Sequence, residues 1–397
     1  MIEELIKKIK ESVNIVNIAK QNFSLTKKGM KYLMRNPLSN EKSESVCINE
    51  ELQTYYSFSD GFGGDIIDFV MIFLNKTFYQ AIEYIISFSN FPIEMDKVKS
   101  YIAENNDSKE FTLRVNKDAA IYFYYVLRRS NDKNGIEYFS KKRQLSDDTM
   151  RKFGLGFAPN SWDSLIKYLL NKGYTEDELK MSGLVTVNNS GHLMDKFRNR
   201  VIIPIFDINN KVIAFGGRVL DDSKPKYLNS PDTIAFDKSK NLYALNIAKD
   251  SKRDGFIACE GYMDVISMHQ AGFDNAIASL GTAFTDKHAF LIKTLRNKVY
   301  LAYDSDAAGV DATIKAIKTL DSYNIESFVI NMRPYKDPDE FIKALGADEY
   351  QKRIDAAMPS KEFLLRKMSD KVVNSSDEEK EKSLRELALK ISDYYYN

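Results

Sequence analysis

The chain has 397 residues, with 57 Lys and Arg against 56 Asp and Glu for a net charge of +1, and is 44% hydrophobic and 28% charged. This length exceeds the roughly 100–200 residues of one domain, so two or three domains are expected, and the composition excludes fibrous and disordered classes. No run approaches the ~20 apolar residues of a membrane helix, and the N-terminal MIEELIKKIKESVN has no apolar signal core, so a cytoplasmic location is expected. Two cysteines, Cys47 and Cys259, and three histidines, His192, His269 and His288, provide neither a disulfide framework nor a cluster of four soft ligands. Any catalytic metal is expected to be bound by oxygen.

Ile2, Leu5, Ile6, Ile9, Val13 and Val16 fall at helical spacing and predict a docked N-terminal helix. A polar module follows, whose apolar ending over 66–74 leads into another helix near Thr77. The charged stretch 104–110 reads as a linker, which bounds the first module at 1–103. Residues 111–194 are mainly helical in pattern, with Thr175 and Glu178 spaced as a capping box and Gly173 placed to end the preceding helix. The period then changes to two: 201–206, the turn 207–210 and 211–215 read as a β-hairpin within a block 111–254.

After Gly255 the apolar runs 256–259, 275–278, 299–303 and 328–330 alternate with helical segments. This βαβ series over 255–346 predicts a parallel sheet covered by helices, with its ligand crevice at the carboxyl ends of the strands. Residues 347–397 read as helical, finishing with a helix over 377–396. The fold class is therefore mixed, α/β and α+β, over several domains.

Glu260 follows one of these runs, Asp304 and Asp306 another, and Asp337 and Asp339 lie past a third. Each acid alone is readily explained as a helix cap. Together, at one edge of one sheet, their mutual repulsion calls for a cation between them, and hard oxygen ligands favour Mg²⁺ or Mn²⁺. Between Asp195 and Arg253 there are 12 Lys or Arg against 7 Asp or Glu, a split that suits a polyanion held beside a metal, although a solvated mixed face gives the same count.

Glu at one strand end and Asp-x-Asp at a later one resembles the TOPRIM domain shared by DnaG-type primases, type IA and type II topoisomerases and some nucleases. The surrounding segments narrow the resemblance to the primases. They are Phe197-Arg198-Asn199-Arg200-Val201, Phe215-Gly216-Gly217-Arg218, Pro225-Lys226-Tyr227-Leu228-Asn229-Ser230-Pro231, Glu260-Gly261-Tyr262-Met263-Asp264, Asp304-Ser305-Asp306-Ala307-Ala308-Gly309 and Lys336-Asp337-Pro338-Asp339-Glu340. Upstream, Lys142-Arg143-Gln144-Leu145-Ser146 and 153–159 match as well, so the resemblance covers roughly 1–346.

The resemblance implies a DNA-directed RNA polymerase that uses NTPs to make short RNA primers on single-stranded DNA. Glu260, Asp304 and Asp306 are then catalytic and metal-holding, with Asp337 and Asp339 as further ligands and Asp264 in support. Arg143, Arg198, Arg200, Arg218, Lys226 and Asn229 are implied to meet template or nucleotide, the arginines gripping phosphates bidentately. Gly216-Gly217 would let backbone approach nucleic acid, unless they mark a bulge or tight turn.

Two departures accompany the resemblance. Where the family's N-terminal module has its Cys, His, Cys and Cys zinc ligands, this chain has Asn36, Ser39, Ser57 and Asp60, so a zinc-ribbon-like domain without zinc is expected. The chain also ends without the helical region that carries the helicase-binding domain of full-length relatives. A helicase partner is left open, as is the choice between a truncated form and a compact accessory primase. The rival readings are a TOPRIM nuclease and a catalytically silent single-strand-binding replication regulator.

Overall fold

A computed structural model describes residues 7–8, 10–38, 43–59, 62–76, 78–89, 95–281 and 283–374, with Glu381, Leu384, Arg385 and Ala388 beyond them. The helix expected over 377–396 lies outside the described residues except at those four positions. The chain divides into two compact units, Met1–Asp107 with Ser322–Asn324, and Ser108–Asp321 with Ile325–Asn397.

In the first unit, β1 (Thr26–Lys28), β2 (Lys31–Met34), β3 (Val46–Asn49), β4 (Thr54–Ser57) and β5 (Phe62–Asp65) form an antiparallel meander in that order. Of the helix expected at the N-terminus, residues 1–6 and 9 lie outside the described residues, and among those described it is interrupted. The chain leaves helical geometry at Val13, and Asn14 caps a new helix, Ile15–Asn22, by accepting from Val16 N at 2.8 Å. Asp65 and Asp68 form a capping box on helix Ile66–Phe73, whose Phe69 and Phe73 rings lie 5.4 and 5.2 Å from the buried Tyr55 ring.

The expected linker at 104–110 contains the division between the two units, and it is helical, part of one helix, Met95–Arg129. Its charged residues include neither Pro nor Gly, so nothing in the stretch breaks the helical hydrogen-bond ladder.

In the second unit, β6 (Gly156–Ala158), β9 (Arg200–Phe206), β10 (Val212–Val219) and β11 (Tyr227–Asn229) form an antiparallel sheet ordered β11-β10-β9-β6, while β7 (Val185–Val187) and β8 (Leu193–Asp195) pair separately. β9 is buried on both faces. Val201, Ile203 and Ile205 join one core cluster, and Ile202, one residue out of phase, joins Val115, Ala119 and Phe123 of the long helix in the other. Gly216 and Gly217 lie inside β10, not at a turn. A Cβ on Gly216 would stand 2.9 Å from the Tyr262 ring and one on Gly217 2.6 Å from Phe197. Close side-chain packing thus accounts for the absence of a side chain at both positions.

The βαβ series forms a second sheet, β13 (Ala276–Ala278), β12 (Phe256–Cys259), β14 (Lys298–Ala302), β15 (Glu326–Val329) and β16 (Met358–Pro359), in that spatial order. All neighbours run parallel except β15 and β16. The connection from β12 leads to one side and the chain then returns to the other side for β14, so the strand order reverses between β12 and β14. Crevices in open parallel sheets form at such a reversal, beyond the carboxyl ends of the strands. Ile257, Cys259, Met263 and Ile266 share the cluster of Val201, Ile203 and Ile205, which fixes this sheet to the one containing β9.

Candidate metal centre and nucleic-acid interface

Cys259 and Ala302 are register partners at the ends of β12 and β14, so Glu260 and Asp304 emerge side by side at the reversal. The Asp304 backbone N–H donates to Glu260 Oε1 at 2.9 Å. Asp306 is exposed at the start of helix Ala307–Ser322, and its Oδ1 accepts from Gly309 N at 2.9 Å. Gly309 has no room for a side chain: a Cβ would fall on the Asp304 carbonyl and 2.8 Å from Glu260 Oε1. Ser305 N donates to the Lys336 carbonyl at 2.9 Å, which ties the Asp-x-Asp loop to the turn bearing Asp337. Asp337 caps helix Pro338–Leu345 by accepting from Glu340 N at 2.8 Å.

The electrostatics of this edge are those of crowded carboxylates. Burial raises Glu260 above the ordinary carboxylate range, and the charges of Asp304 and Asp306 add to it against the Asp304 N–H bond. Burial likewise raises Asp337, with Glu340, Asp304 and Asp339 contributing. Asp264, on helix Tyr262–Gln270, is pushed well above its ordinary value by burial and then by Asp337, Asp304 and Asp339. Lys336 Nζ, 3.0 Å from Asp304 Oδ2, is the cation already present, and that contact raises its own pKa. Sequence reasoning did not single Lys336 out; its place directly before Asp337 was the available signal.

A divalent cation fits this donor set, since its candidate ligands are all hard carboxylate oxygens and the raised pKa values of Glu260 and Asp337 show the cost of crowding them at one edge. Among the described residues no three acidic, His or Cys side chains converge to enclose an ion unaided. Water or phosphate oxygens would therefore complete its shell, the usual state of bound Mg²⁺. Asp304 and Ser305 also border a cleft of about 580 Å³ to which Arg333, Arg353 and Arg366 contribute.

Asp339 departs from the expectation of a metal ligand. Its side chain is 5% exposed, and it accepts from Arg143 Nη1 at 2.9 Å, from Lys343 Nζ at 2.7 Å and from Ser267 Oγ. Both oxygens are thus taken by protein donors. Asp264 Oδ2 accepts from Gly261 N at 3.2 Å, at the start of its own helix.

Three comparisons with known proteins agree with this layout. The sequence matches the families described as CHC2 zinc finger over residues 1–101, DNA primase catalytic core, N-terminal domain, over 122–249, and Toprim-like over 257–342. It is 40% identical over 378 residues to the DNA primase of Clostridium acetobutylicum, covering 95% of this chain and 62% of that one. A DnaG primase catalytic domain bound to ssDNA is 32% identical, with a TM-score of 0.62, and the match covers 66% of this chain and 84% of that one. The chain belongs to the DnaG-type primase family. The zinc-binding and RNA polymerase domains of Aquifex aeolicus primase extend the likeness to 99% of this chain and 97% of that one, at 29% identity and a TM-score of 0.63. The chain spans about 62% of the length of the clostridial relative. Among the described residues no helix is long and apolar enough to cross a membrane.

The primase resemblance predicted six template or nucleotide contacts, and the structure separates them. Arg143 and Arg218 converge on the Tyr138 ring, at 5.6 and 4.8 Å, and Arg143 Nε donates to the Tyr138 hydroxyl at 2.7 Å. Lys226 is exposed in the loop before β11. Arg198 lies elsewhere, stacked 4.4 Å from the exposed Trp162 ring. Arg200, by contrast, is 7% exposed and donates to the Gly217 and Pro225 carbonyls at 3.1 and 3.0 Å. Asn229 ties β11 to helix Tyr262–Gln270 and to the loop after β13, accepting from the Tyr262 hydroxyl at 2.8 Å and donating to the Leu280 carbonyl at 3.0 Å. At the family's zinc positions, Asn36 and Ser57 are buried, while Ser39 and Asp60 lie outside the described residues.

Proposed function

We propose that this chain is a DNA primase, a DNA-directed RNA polymerase that makes short RNA primers on single-stranded DNA from NTPs. The observation that carries the reading is the pair Glu260 and Asp304, side by side at the strand-order reversal and joined by the Asp304 N–H bond, in a chain of the DnaG-type family. Glu260, Asp304 and Asp306 are the catalytic carboxylates and would hold Mg²⁺ or Mn²⁺, with Asp337 as a further ligand. When bound, such an ion neutralises charge on a transferring phosphoryl group. Asp264, Asp339 and Lys336 position and balance these carboxylates.

Lys226 and Arg218, with Arg198 at a separate point, offer cations to the template phosphates, and the relative bound to ssDNA supports a single strand as that ligand. The arginines of the cleft beside Asp304 suit nucleotide phosphates. Residues 1–103, 111–254, 255–346 and 347–397 serve as the N-terminal module, the first part of the polymerase core, the TOPRIM part and a helical end. The N-terminal module holds no zinc.

Glu260→Gln and Asp304→Asn test the assignment, because each keeps shape and removes one negative charge from the edge. Both variants should lose primer synthesis by at least about a hundredfold while keeping the fold and most affinity for single-stranded DNA. Near-normal synthesis in either variant at ordinary Mg²⁺ removes that residue from the metal centre.

A further inference from the structure

Three chain segments meet at the end of the N-terminal meander: the residues after β2, the approach to β3, and the end of β4. Asn36, Ser45, Ser57 and Ser59 come from these segments and bond to one another. Asn36 is 2% exposed and Ser57 is fully buried, with Ser59 at the solvent edge. Asn36 Nδ2 donates to Ser59 Oγ at 2.9 Å and to Ser57 Oγ at 3.4 Å, and Asn36 Oδ1 accepts from Leu38 N at 2.9 Å. Ser59 Oγ also lies 3.0 Å from Ser45 Oγ and 3.3 Å from Ser57 Oγ. Phe58 N donates to the Ser45 carbonyl at 2.7 Å, closing the cluster along the backbone.

These residues do not fit the metal that the matched zinc-finger family implies. Zinc in structural sites is held by thiolates and imidazoles, and a neutral amide and hydroxyls do not replace them. The one cysteine of this unit, Cys47, is buried within β3 in register with Leu33 and Tyr56, as part of the strand core. The first unit contains no histidine.

We propose that the hydrogen-bond cluster of Asn36, Ser45, Ser57 and Ser59 replaces the zinc ion of this module. It fastens the ends of the same strands that a metal would clamp, using both amide donors and the carbonyl of one buried Asn. Such a network specifies one arrangement of its loops, because breaking it strands buried polar groups without water. The module therefore keeps its conformation irrespective of zinc supply, chelators and thiol oxidants, to which a thiolate–zinc clamp is sensitive. The inference rests on the reading of this module as zinc-free, and goes beyond it by naming what does the metal's work.

The test uses the full chain, with zinc measured by elemental analysis and amide exchange followed by mass spectrometry. Wild type should carry no stoichiometric zinc, and exchange in peptides spanning β2–β5 should be unchanged by phenanthroline or hydrogen peroxide. Asn36→Leu, similar in volume but without the three bonds, should speed exchange in β2–β4 about tenfold or more while β12–β14 are unaffected. Ser45→Ala removes one hydroxyl and little volume, and should give a smaller increase in the same peptides, so the proposal remains testable if Asn36→Leu fails to fold. One zinc per chain, whose removal deprotects β2–β5, overturns the zinc-free reading. Zinc-free protein in which neither variant changes exchange overturns the cluster's role alone.

Discussion

Arg143→Ala should destabilise the second unit, because the Arg143 side chain is engaged with a buried carboxylate. Asp339 is 5% exposed, Arg143 is 21% exposed, and the contact of 2.9 Å joins residues 196 apart in sequence. Stripping all partners from a buried carboxylate costs about 3–5 kcal/mol, but here Lys343 and Ser267 remain, so the loss of one charge-assisted bond is worth about 2–3 kcal/mol. For a unit of this size that corresponds to a fall in melting temperature of roughly 5–10 °C. Scanning calorimetry on Arg143→Ala, Asp339→Asn and the double variant measures both the loss and the coupling. The double variant should be less destabilised than the sum of the singles, by about 2 kcal/mol, since the second change removes a charge that the first left under-paired. If Arg143→Ala melts like wild type while its DNA affinity falls tenfold, the guanidinium is free for template and the anchoring argument fails.

Gly309→Ala should reduce primer synthesis with little change in DNA affinity, since the added methyl displaces the Asp304 backbone and Glu260 Oε1; unaltered synthesis would mean that the edge tolerates that shift. His269 is 6% exposed, its Nε2 lies 2.9 Å from the Ala276 carbonyl, and burial lowers its pKa to about 4 from 6.5. The unfolded chain therefore takes up this proton first as pH falls. The stability contributed by the neutral ring is full above pH 6.5 and is lost between there and about pH 4, by up to roughly 3 kcal/mol. Denaturant melts of His269→Gln should show a flatter profile over that window, and a slope equal to that of wild type would show that the ring does not set it. Lys226→Ala should weaken DNA binding at unchanged melting temperature and make the salt dependence of affinity shallower by about 1 in log–log slope, which binding titrations at several salt concentrations would read.

What could be read from the sequence was governed by the range of the cause. The hairpin over 201–215 and the strands after Gly255 announce themselves by local period, and the order in which Glu260, Asp304 and Asp337 follow those strands already implied one edge. The capping box at Thr175 is likewise local. Long-range partners were invisible. Nothing near Arg200 or Asn229 indicates that their donors are consumed by the Gly217, Pro225 and Leu280 carbonyls, and nothing near Asp339 names Arg143. The charged run at 104–110 does hold the division between the two units, but its helical conformation was not read, although no residue in it opposes a helix. At Asn36 and Ser57 the lost ligands were legible, whereas the bonds that join them through Ser59 required coordinates.

The measurement closest to the central claim is incubation of the purified chain with single-stranded DNA, labelled ribonucleotides and Mg²⁺ or Mn²⁺, followed by sizing of the products. The account predicts new short RNA that depends on template and divalent metal, and that is lost in Glu260→Gln. Shortening of the template without RNA would make the chain a nuclease, and retention of DNA with neither product under any divalent metal would make it a binding protein; either result contradicts the account.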